Sequence, residues 1–177
     1  MKIFNKLPIV SGILIVFLLL QVNSSFAQKK VDDLIDQSDD KIRAKDFKGA
    51  LKLLDKAVGL SAQNASLYVK RASVYRNLKK NEEALKDCKK ALELDAKSTD
   101  AYYQQGMVHA TKKDFQEAVQ SFQQALAIDK NYANAYLGMA IVKQEAGDAE
   151  GACEDAKKAK EMGSYEAEEF VKKHCRR

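Results

Sequence analysis

The chain has 177 residues, 46% of them apolar and 31% charged; this is enough for one domain with a moderate core and excludes both a membrane-filled and a wholly disordered protein. The formal charge is +5; Lys2 and Lys6 carry two of these charges, and the remaining +3 is too mild a balance to indicate nucleic-acid binding. A single proline, Pro8, and only eight glycines in the whole chain favour an all-helical body.

The N-terminus reads as an export signal. Met1–Pro8 holds two lysines and no acid, Ile9–Leu20 is an apolar run of 12 residues, and Ser25 and Ala27 place small residues at minus three and minus one of a cut after Ala27. This charged, apolar, small-residue order is that of a secretory signal peptide. The apolar run is shorter than the ~20 residues that a spanning helix prefers. Residues 1–27 are therefore expected to be a signal peptide, with an uncleaved membrane anchor as the alternative. Either places the body across the membrane, in the periplasm or outside the cell.

From Val31 onward one unit recurs every 34 residues. Ala50, Ala84, Ala118 and Ala152 are in phase, and so are Ala57, Ala91, Ala125 and Ala159. Leu34, Tyr68, Tyr102 and Tyr136 hold a large place; Ser38, Ala72, Gly106 and Ala140 hold a small place one turn later; Leu54, Cys88, Phe122 and Ala156 follow in the second half. Within 99–132, Tyr102, Gly106 and His109 fall at helical spacing. After a break at Lys112-Lys113-Asp114, so do Phe115, Ala118, Phe122, Ala125 and Leu126. This predicts two short amphipathic helices per unit, packed closely where small residues meet and filled by large ones beside them. Asp114 and Glu117 are expected to form a capping box ahead of Ala118. Asn64 and Ser98 are placed to cap the first helices of their units.

The pattern resembles the tetratricopeptide repeat, a 34-residue helix–turn–helix. The likeness covers nearly all of the chain beyond the signal segment. It implies an all-α, right-handed α-solenoid of four units within 28–164 (31–64, 65–98, 99–132 and 133–164), followed by a C-terminal capping helix and basic tail over 165–177. Two departures stand out. The leucine before the small residue of the first helix is replaced by Gln37, Arg71, Gln105 and Met139, and the proline that usually ends the second helix by Ala62, Ala96, Lys130 and Ser164. In the last segment Ala167, Phe170, Val171 and His174 make one stripe, with acids early and bases late as the helix dipole favours. A solenoid end otherwise exposes an apolar face.

The resemblance further implies a partner-binding concave face lined by first helices. Its contacting places fall on Val69, Arg76, Tyr103, Met107, Leu137 and Ile141, which would make the C-terminal half of the groove apolar and suited to a peptide. Packing between adjacent first helices is the alternative role for some of these residues. The carboxylate clamp of one subset of the family is not expected, because the matching places hold Ile35, Asp39, Asp32, Asp36, Ser66, Lys70 and Ser73, with Lys70 alone basic. No phosphate loop, paired-cysteine metal spacing or nucleophile elbow appears, so no catalytic residue, cofactor or metal site is expected, and His109 reads as a core or near-core residue. Cys88 reads as a buried apolar residue. Cys153 and Cys175 lie at similar distances either side of the turn near Gly163-Ser164, and an oxidising compartment would permit a disulfide between them. The function expected is a non-catalytic scaffold for a protein or peptide; self-association through stacked end repeats is the alternative.

Overall fold

The computed structural model describes residues 26–175. Almost all of the expected signal segment lies outside the described residues. The chain divides into two compact units, Met1–Ala62 and Gln63–Arg177.

In the first unit α1 covers residues 26–43 and α2 covers Phe47–Leu60. Val31, Leu34 and Ser38 of α1 are buried, as are Ala50, Leu54 and Ala57 of α2. All of these except Val31 are in-phase places of the repeat. Asp32, Asp33, Asp36 and Asp40 are exposed.

The second unit holds seven described helices: α3 (Ala65–Asn77), α4 (Asn81–Leu94), α5 (Thr99–Lys112), α6 (Phe115–Ile128), α7 (Ala133–Glu145), α8 (Ala149–Glu161) and α9 (Tyr165–His174). They pair as α3/α4, α5/α6 and α7/α8, each second helix also touches the next first helix, and α3, α5 and α7 are neighbours. The all-helical repeated-pair fold expected from the periodicity is the fold the chain adopts. Ala84, Ala118 and Ala152 and Ala91, Ala125 and Ala159 are all fully buried, so the strict alanine phase records where helix backbones approach each other.

The turns inside the pairs share one construction. Lys45, Lys79, Lys113 and Gly147 all have positive φ, between 57° and 90°, and recur in the same 34-residue phase. The next residue donates its backbone N–H five residues back: Asp46 to Lys41, Lys80 to Tyr75, Asp114 to His109 and Asp148 to Lys143. Each of these four residues then serves as the N-cap of the following helix. One helix thus ends in a Schellman motif whose last residue begins the next.

The cap chemistry differs from the expectation at Asp114. Asp46 and Asp148 accept from the backbone of Gly49 and Gly151, each at 2.9 Å. A Cβ at either glycine would lie 2.3 Å from the aspartate carboxylate. Glu117 has a Cβ at that place, and Asp114 makes no side-chain cap bond. Its carboxylate instead lies 3.4 Å from His109 Nδ1 and 3.4 Å from Lys112 Nζ. The expected capping box is therefore replaced by a contact back to the preceding helix. Asn64 and Ser98 cap as expected, accepting from Ser66 and Ala101.

The largest fully buried side chain is Phe122 on α6. Its ring fills the space left by two glycines on different helices. A Cβ at Gly106 of α5 would come within 2.6 Å of it, and one at Gly138 of α7 within 2.7 Å. Ala118, Ala125, Ala135, Met139 and Val142 complete this core. Substituting Gly138→Ala should cost about 1–3 kcal/mol by overpacking, read as a lower urea midpoint with unchanged slope. Unchanged stability would mean the ring is not confined.

Candidate functional site

The first helices α3, α5 and α7 present a common side away from their partners, and the residues expected to contact a partner are distributed unequally over it. Tyr103 is half-buried, with its ring centroid 5.8 Å from Phe122 and 5.6 Å, edge-on, from Tyr132. Met107 also packs against the Phe122 core. Both therefore act in the junction between successive pairs, and neither simply looks outward. Val69 and Leu137 are half-buried, and Ile141 is 40% exposed. The open apolar surface on this side is thus centred on Leu137 and Ile141 of α7, one turn apart.

A second tie holds the same junction. The Tyr132 hydroxyl donates to Asp100 at 2.5 Å. Burial, followed by this bond to a carboxylate, raises the phenol well above its ordinary range. Burial likewise raises the Tyr103 phenol. The bond spans 32 residues, two short of the repeat period, as does the spacing of Gly106 and Gly138. The bond links the start of one first helix to the preceding one, and the two glycines meet the same Phe122 ring, so strict 34-residue phase does not mark them.

Charges on α3 divide sharply. Arg71 reaches Asp87 of α4 with two bonds, Nε to Oδ2 at 2.7 Å and Nη2 to Oδ1 at 2.9 Å. Its guanidinium also lies 5.5 Å from the Tyr68 ring centroid and 5.7 Å from that of Tyr75. The residue that departs from the usual leucine is thus a paired structural arginine. Lys143 of α7 meets the buried Asp155 of α8 at 2.6 Å in a similar way. Arg76 has no such acid. Its Nε is shut from solvent without a hydrogen-bond partner. Burial pulls its pKa down, and the groups that act on it electrostatically are Tyr103 and Cys88. Cys88 is fully buried, and burial pushes its thiol up to about 12. His109 is half-buried beside Asp114.

At the C-terminal end Cys153 of α8 and Cys175 after α9 form a disulfide with a Cα–Cα distance of 5.6 Å. Ala167 is the buried residue of α9, Phe170 and Val171 are half-buried, and His174 is exposed. An open groove of about 390 Å³ runs along the bond, lined by Glu150, Glu154, Lys157 and His174 among others. Among the described residues no group of three or more His, Cys, Asp or Glu is arranged to hold a metal ion. No described helix is long and apolar enough to cross a membrane.

Profiles of the tetratricopeptide repeat match residues 63–131 and, with overlap, 109–154. The chain belongs to the tetratricopeptide-repeat family. Residues 26–62 lie outside the matched ranges, yet α1 and α2 bury the same in-phase places. Among solved structures, the MamA protein is 26% identical with a TM-score of 0.60, over 76% of this chain and 74% of that one. The Arabidopsis OM64 TPR domain is 22% identical with a TM-score of 0.62, over 67% and 98%. A thermophilic TPR protein of Thermus thermophilus is 14% identical with a TM-score of 0.72, over 75% and 74%. The last two show likeness of fold alone. Comparison with curated proteins gives no match.

The disulfide closes 22 residues, a constraint worth roughly 3 kcal/mol in the chain-entropy account. Cys153→Ser should therefore speed amide exchange in α9 while leaving α5–α7 unchanged. Two free thiols at Cys153 and Cys175 in mass spectra of the unreduced protein would contradict the bond.

Proposed function

We propose that this protein is an exported, non-catalytic scaffold that holds a protein or peptide on the side of α3, α5 and α7. The observation that carries the reading is the apolar surface at Leu137 and Ile141. Ile141 is 40% exposed on a helix whose neighbouring residues Gly138, Met139, Ala140 and Val142 are buried. Folding gains nothing from leaving such a side chain in water, whereas a partner that covers it gains its burial. The tetratricopeptide repeat supplies a shape and not a partner, so the argument rests on these residues.

Replacing Leu137 and Ile141 together by serine should abolish partner capture from the cell envelope with little change in melting temperature. Capture that survives in the folded double variant would place the binding surface elsewhere.

Export rests on the charged, apolar and small-residue order of residues 1–27, with periplasm or extracellular space as the destination. A disulfide between Cys153 and Cys175 is compatible with an oxidising compartment. N-terminal sequencing of the protein recovered from the periplasm or medium should begin at Gln28. A chain retained in the cytoplasm with Met1 intact would overturn this reading.

A further inference from the structure

Helix α3 carries, at a place the family resemblance assigns to the concave face, a cation that the fold leaves uncompensated. The same helix shows how the fold treats a guanidinium it uses for itself: Arg71 is held by both oxygens of Asp87. Lys143, half-buried on α7, is likewise matched by Asp155. Arg76, five residues beyond Arg71, is half-buried with its Nε closed off from solvent and unbonded. The groups that act on it are Tyr103 and Cys88, and neither is charged near neutral pH, since burial raises both. A half-buried cation without an acid costs the free protein stability, and the cost is recovered only when an anion arrives.

We propose that Arg76 receives an acidic side chain of the bound segment, while an apolar side chain of the same segment covers Leu137 and Ile141. This deepens the reading of the groove given above and rests on it. Arg76 is half-buried with its Nε closed off from solvent, so the anion has to reach in to it. An aspartate or glutamate side chain does so while its backbone stays above α5 and α7; a terminal carboxylate would have to bring the backbone down with it. The partner is therefore an extended segment with an internal acid ahead of or behind an apolar residue, and it pairs as Arg71 and Asp87 already pair within the fold.

The test uses the intact chain and an array of ten-residue peptides with blocked ends, each carrying one apolar residue and made in matched pairs with Asp or Glu against Asn or Gln. The wild type should favour the acidic member at least tenfold. Arg76→Met should lose that preference and melt at or above the wild-type temperature, because it removes an unpaired, half-buried charge. Arg76→Lys should keep part of the preference. Persistence of the preference in Arg76→Met, or a melting temperature several degrees below wild type, would show that the guanidinium is structural and overturn the proposal. Peptides bound without regard to the acid would leave the groove reading standing and remove this one. Binding of no peptide by the wild type would remove both.

Discussion

The second unit depends on the Phe122 ring lying between two backbones that carry no Cβ. Gly106 on α5 and Gly138 on α7 both face it, so a single side chain of α6 sets how closely its own partner and the next first helix approach. Tyr103 then packs on the ring from the groove side, and Met107 follows. At the equivalent place in the preceding pair stands Cys88, also fully buried but much smaller. There Ala72, Ala84 and Val108 form the core with Tyr75 and Leu85 beside it. The same helix geometry is thus filled by different volumes, as close packing requires.

Much of this was legible because packing repeats. Every alanine in the two strict phases is buried, and the large place of the second helix is buried in all four copies. What escaped were contacts that cross from one copy to the next at a different spacing. Gly138 has no glycine in phase with it, so nothing in the period marked it as the second wall of the Phe122 site. Tyr132 and Asp100 escaped for the same reason. The capping box at Asp114 failed because its carboxylate turns back to His109 and Lys112, whereas Asp46 and Asp148 cap onto glycines three residues on.

The residues of the candidate site differ in how far their neighbours cover them. The family resemblance placed Tyr103, Met107, Leu137 and Ile141 on one side of the first helices but could not say how far each is covered by its neighbours. Tyr103 and Met107 are largely spent on the junction, and Leu137 and Ile141 remain. Arg71 and Arg76 both stand on α3, and composition alone does not separate them. The difference lies in whether α4 offers a carboxylate within reach, and Asp87 reaches only Arg71. A buried pair of that kind holds register more than it adds stability, whereas an unpaired charge leaves chemistry unspent.

The turns within each pair have no residue to spare, since the one that closes the Schellman motif also caps the next helix. Of the two connections inside the second unit, residues 129–132 end in Tyr132, tied to Asp100 and set edge-on against Tyr103. Residues 95–98 end in Ser98, whose side chain caps its own helix. The two joints are thus held by different ties: Tyr132 bonds Asp100 of α5 at the start of α7, whereas Lys112 of α5 lies 3.4 Å from Glu82 of α4.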